Sequence, residues 1–172
     1  MNSRPKLAGI WKWRAALWVS WGLVLFALAS RTGYGADYGS MASQLALFAD
    51  YIKWPTENAS ITVGILGDDP FDSALTKVNV KRSKNVEDLK DCQVIFISKS
   101  EQANLNAIFD SLGAANILTV GESEGFARQG GVIGFVADGE KFRFEINTGA
   151  ARRAGLKIDL RLLKLAMHVF NS

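Results

Sequence analysis

Cys92-Gln93-Val94-Ile95-Phe96-Ile97-Ser98-Lys99-Ser100 decides the fold. Val94 to Ile97 is β-branched or aromatic at every position. A strand with no polar side is covered on both faces, as a central strand of a parallel sheet is. Ser100 then suits the cap of a helix bearing Leu105, Ile108, Phe109 and Leu112 at helical spacing, with Gly113 to end it. Ile117 to Val120 reads as the next strand, which completes a strand–helix–strand unit.

Working outward toward the N-terminus, Val78 to Arg82 is a more exposed strand and Ile61 to Leu66 a buried one that ends at Gly67. Between them Asp69-Pro70 has the form of a cap with proline at the first helical position, predicting a short helix through Ala74 and Leu75. Ser40 is placed to cap a helix over Met41 to Lys53, whose stripe is Met41, Leu45, Phe48 and Ile52, stopped by Pro55 through Trp54. Toward the C-terminus, a loop over Gly121 to Gly131 leads to two strands joined at Asp138-Gly139. On the second strand Phe142, Phe144 and Ile146 share one face, and Lys141, Arg143, Glu145 and Asn147 share the other, expected to be exposed. Thr148 to Ala154 is helical up to Gly155, and Asp159 caps a last helix over Leu160 to Val169. The pattern predicts an α/β domain: a single Rossmann-like open sheet, mostly parallel, with a C-terminal hairpin and flanking helices.

Residues 1–36 read differently. Arg4, Lys6, Lys12 and Arg14 precede the apolar run Ala15 to Ala29, and small residues follow. This is the pattern of a secretory signal with cleavage near 29–36. A spanning helix needs about 20 apolar residues, so an uncleaved anchor fits less well. Both readings place residues 37–172 outside the cytoplasm. Five of the 20 Lys and Arg lie in the leader and all 17 acids follow it, so the domain holds 15 basic against 17 acidic side chains, net −2. The basic balance of the whole chain belongs to the leader and gives no reason to expect nucleic acid as a partner.

Catalytic chemistry finds little to stand on. His168, the only histidine, is expected near the end of the last helix as a packing residue. Cys92, the only cysteine, excludes an internal disulfide and a cysteine-type zinc site, and reads as a small buried hydrophobe; pairing with another chain is the alternative. Asp68, Asp69 and Asp72 lack calcium-loop spacing and suit turns. Gly67-Asp68-Asp69-Pro70 opposes a dinucleotide site, since two carboxylates repel phosphate and proline removes an amide donor. No catalytic residue, metal site or cofactor is therefore expected. Two features remain. Phe126 in Gly125-Phe126-Ala127-Arg128-Gln129-Gly130-Gly131 is a core plug or an exposed anchor. Arg152, Arg153, Lys157, Arg161 and Lys164 form a solvated basic series or a face for an acidic partner.

Taken in order, the landmarks are Trp54-Pro55, Ile65-Leu66-Gly67, Asp69-Pro70-Phe71, the stretch from Cys92 to Ser98, and Leu118-Thr119-Val120. Gly125-Phe126-Ala127 with Gly130-Gly131, Phe144-Glu145-Ile146-Asn147, Ala154-Gly155-Leu156 and Leu162 to Ala166 follow. From about Met41 to Val169 the chain resembles the periplasmic YfiR-type repressors. The resemblance implies a periplasmic protein, often dimeric, that binds the periplasmic sensor domain of an inner-membrane diguanylate cyclase and holds it inactive, lowering cyclic di-GMP and biofilm formation. Such members can carry cysteine pairs, which Cys92 alone cannot supply. Phe126, Glu145, Asn147 and Arg152 are the partner-binding candidates, an apolar patch with a polar rim. The alternative is a small-ligand sensor acting on another membrane sensor such as a histidine kinase, with its ligand near Gly67 and Ser98 at the ends of the parallel strands.

Overall fold

The computed structural model of the chain describes residues 37–55, 60–76, 78–139 and 141–172; the leader read over residues 1–36 lies outside them. The first helix, α1 (Tyr38–Phe48), is capped by Asp37 and not by Ser40: the Ser40 amide donates to the Asp37 carboxylate at 3.1 Å. It stops short of Lys53 because Ile52–Lys53 is taken up as a strand, β1. The sheet follows with β2 (Thr62–Leu66), β3 (Asn79–Ser83), β4 (Val94–Ile97), α2 (Leu105–Leu112), β5 (Leu118–Gly121), β6 (Ile133–Asp138) and β7 (Lys141–Asn147). The chain closes with α3 (Thr148–Arg153), β8 (Lys157–Ile158), α4 (Leu160–Leu163) and β9 (His168–Phe170).

The seven-stranded sheet has the order β3-β2-β4-β5-β6-β7-β9, while β1 and β8 pair with each other. From β3 to β6 all neighbours are parallel; β7 returns antiparallel to β6 and β9 is parallel to β7. The expected mostly parallel α/β sheet is what forms. Strand alternation divides the core. Val63, Ile65, Phe96 and Val120 face α1 with Met41, Leu45 and Phe48, whereas Ile95, Ile97 and Leu66 face α2 with Leu105, Ile108 and Leu112. Fully burying each of these large side chains contributes about 1.5–3 kcal/mol. Cys92 is buried at 2% exposure in the α2-side core, and burial pushes its thiol above the usual range.

Several local expectations are corrected. Asp69 does not start a helix. Its carboxylate accepts from the Phe71 amide at 2.7 Å and from Arg82 Nε at 2.6 Å, which closes a turn in place of the first helical bond. Ser98 caps a short 3-10 segment (Lys99–Asn104) ahead of α2, because the Ser100 hydroxyl is taken by the Asp68 amide at 3.0 Å. Asp138 pairs with Lys141, so the hairpin turns one residue later than Asp138-Gly139. The last helix breaks after one turn. Met167 N bonds to Phe144 O at 2.8 Å and residues 168–170 become a strand, since β7 would otherwise be an open edge. His168 is thus an exposed residue of the edge strand β9.

Candidate functional site

The candidate site is built where the loop after β5 meets the base of the hairpin. Gly125 (φ +66°) and Gly130 (φ +115°) let this loop double back where a crossover helix would otherwise stand. The bend presses Phe126 onto the sheet. A Cβ at Gly121 or Gly131 would fall 2.4 or 2.0 Å from its ring, so glycine is required on both sides of it. The ring meets Phe109 edge to face at 5.6 Å, and Phe126 is 1% exposed. Phe126 is therefore the core plug, and its reading as an exposed anchor is corrected.

Asn147 is wholly buried. Its Oδ1 accepts from the Ala150 amide at 2.9 Å, capping α3, and its Nδ2 donates to Ala127 O at 2.8 Å and Ser172 Oγ at 2.9 Å. One side chain thereby joins the loop, α3 and the C-terminal tail. Its expected exposure is corrected for a definite reason. The polar face of β7 is open at the hairpin tip, where Lys141 and Arg143 are exposed, but its base is covered by β9 and by the loop over Phe126.

Glu145 shares that covered base. It lies between Gly134 of β6 and His168 of β9 in register and is 6% exposed, against the expectation of a solvent-facing position. Its carboxylate nevertheless borders an open cleft of about 520 Å³ lined by Gln102, Glu124, Gly125, Arg128 and Val136. The nearest cation is Arg128, with Nη2 3.8 Å away, close enough for an ion pair but too far for a hydrogen bond. The Arg128 guanidinium also lies 4.8 Å from the centre of the Phe170 ring. Arg152, the fourth candidate, is exposed on α3 and donates to Asn171 Oδ1 at 2.7 Å; it does not line the cleft. The structure thus brings Phe126, Asn147 and Glu145 into one cluster, two as scaffold and one at a cleft. Arg128 is the member that sequence reasoning passed over. It stood in the Gly125–Gly131 stretch, but its role comes from strands that lie far along the chain.

At the ends of the parallel strands, where the alternative reading places a ligand, the chain packs closely on itself. Gly67 (φ +90°) packs so closely on Ser100 that a Cβ would sit 2.4 Å from its hydroxyl. Tyr38 OH donates to Glu122 at 3.0 Å, and the Lys99 amide donates to the other carboxylate oxygen at 3.3 Å. Burial, then the Glu122 charge, push the Tyr38 phenol up to about 12. A hollow of about 650 Å³ lies instead between α2 and α3, with Phe109, Asp110, Thr119, Gln129 and Arg153 in its lining. Among the described residues no group of three or more His, Cys, Asp and Glu could hold a metal ion. No described helix is long and apolar enough to cross a membrane.

Two solved structures share the fold. A conserved domain protein from Vibrio cholerae superposes with a TM-score of 0.60 at 10% identity, covering 78% of this chain and 60% of its own. An ABC domain from Streptococcus pneumonia, crystallised in complex with L-Trp, does so with a TM-score of 0.58 at 14% identity, covering 75% and 60%. This chain spans about 60% of the length of each, and at these identities the likeness is one of fold. The family model described as YfiR/HmsC-like matches residues 40–167, which takes in the plug loop, the hairpin and α3. The chain belongs to the YfiR/HmsC-like family.

Proposed function

We propose that residues 37–172 act in the periplasm as a non-catalytic regulator that binds the periplasmic sensor domain of an inner-membrane diguanylate cyclase and holds it inactive. Membership of the YfiR/HmsC-like family supports the regulatory role, and the leader read from the sequence supports export. The observation that carries the contact is Glu145: a residue 6% exposed that borders an open cleft, with the exposed Arg128 3.8 Å away. That carboxylate keeps acceptor capacity at the cleft, and a cationic or amide group of the sensor entering the cleft would meet it. Phe126 and Asn147 hold the cleft in shape from below, while Arg152 lies outside it, on the exposed side of α3. A protein that works by binding alone acts through a difference in affinity for two states of its partner. Glu145→Gln keeps the volume and removes the charge, so it should raise cyclic di-GMP in cells while leaving the melting temperature unchanged or higher. Unchanged repression in that variant would place the contact elsewhere.

The hollow between α2 and α3 favours a second reading, a small ligand that decides partner binding. Phe109 offers an aromatic wall, while Asp110 and Arg153 offer opposite charges. A thermal-shift screen against amino acids and nucleotides tests it, and a dose-dependent rise lost in Arg153→Gln would support it.

A further inference from the structure

The basic series divides in two. Arg152 and Arg153 stand on α3 beside the tail, donating to Asn171 Oδ1 at 2.7 Å and Ser172 O at 2.8 Å. The others gather around α4, joined by Lys53. The pairing of β1 with β8 sets Lys53 directly opposite Lys157, an arrangement of like charges that destabilises a strand pair unless something offsets it. Lys53, Lys157 and Leu160 line one shallow hollow with Asp159. That carboxylate is engaged already: it caps α4 and binds Arg161 at 3.0 Å, while Arg161 lies 5.1 Å from the centre of the Tyr51 ring. Among the described residues Lys53, Lys157 and Lys164 form no ion pair.

Two leucines stand among these charges. Lys164 N bonds to Leu160 O at 3.1 Å and Leu165 N to Leu162 O at 3.1 Å, so α4 runs into a tightening turn. Helical spacing puts Leu160, Arg161, Lys164 and Leu165 on its outer side and Leu162 inside. Leu160 is 72% exposed and Leu165 61%, whereas Leu162 is 2% exposed. Among the described residues nothing covers the outer pair.

We infer that this turn is a contact with an anionic membrane surface. Leu160 and Leu165 enter the boundary between headgroups and acyl chains, and Lys53, Lys157 and Lys164 lie against lipid phosphates with their stems on the apolar layer. Charge complementarity selects an anionic occupant, and the protruding leucines favour a bilayer over an acidic protein. A protein needs a preformed pocket to cover two aliphatic side chains on an outward turn, whereas the acyl boundary closes around them. The domain as a whole is net −2, so the attraction is confined to this face and orients the molecule. The inference is independent of the role proposed for Glu145.

The chain from Ala36 to Ser172 forms one compact unit holding both cores, so the test uses residues 37–172. The domain is co-sedimented with phosphatidylcholine vesicles and with vesicles that also contain phosphatidylglycerol. Binding is expected on the mixed vesicles only and weakens as salt is added. Lys157→Gln should lower partition about fivefold, and the double variant Leu160→Ser, Leu165→Ser more than tenfold, both without a fall in melting temperature because the sites are exposed. Absence of binding to the mixed vesicles, or binding that both variants retain, overturns the inference. Capture by polyglutamate without vesicle binding also overturns it and makes the turn a face for an acidic protein.

Discussion

Phe126 and Glu145 lie in one cluster and should fail in different ways when changed. Phe126→Ala empties the space between Gly121 and Gly131, and loss of a buried phenylalanine costs about 3–5 kcal/mol. Its melting temperature should drop by several degrees whatever happens to regulation, and differential scanning calorimetry reads this directly. Asn147→Ala removes the α3 cap and leaves the Ala127 carbonyl without its donor, an expected loss of about 1–3 kcal/mol. Glu145→Gln should be neutral or stabilising, since the Arg128 pair it breaks is long and partly solvated. Loss of repression in the Phe126 or Asn147 variant therefore reports on folding, while loss in the Glu145 variant reports on contact.

At the scale of elements, the start of α1 is tied to the carboxyl ends of the strands by the Tyr38–Glu122 hydrogen bond. The folded state keeps the Tyr38 proton up to about pH 12, against about 10 for an unperturbed tyrosine. A group whose folded pKa is raised stabilises fully below the unfolded pKa, and that stability is lost as pH rises through the folded value. Denaturation midpoints should therefore fall between pH 10 and about 12 more steeply for the native chain than for Tyr38→Phe; parallel slopes would contradict the tie. The core of β4 was plain in its unbroken apolar run, and those of β2 and β5 in mostly apolar runs interrupted only by Thr62, Gly64 and Thr119, as burial on both faces favours. The breakup of Leu160–Val169 was not. Its apolar spacing suits a helix, and only the open edge of β7, formed by residues distant in sequence, draws residues 168–170 into a strand. Glu145 and Asn147 alternate as expected on β7. Their burial is decided by the loop and by β9, which alternation along a single strand cannot report.

At the scale of the whole molecule, the two cores lie on opposite faces of one sheet and share the strands β2 and β4. Residues 37–172 should accordingly unfold in a single transition, with near- and far-ultraviolet circular dichroism coinciding; separate transitions would mean that the faces fold independently. A structure that commits its core residues to one rigid sheet leaves its exposed clefts and turns to meet other molecules. The most direct test is a pull-down from solubilised inner membranes with tagged residues 37–172, native and Glu145→Gln side by side. The native domain should recover a membrane protein with a cyclase output domain, and the variant, no less stable, should not. Equal recovery by both, or no membrane protein with either, would contradict the proposed contact.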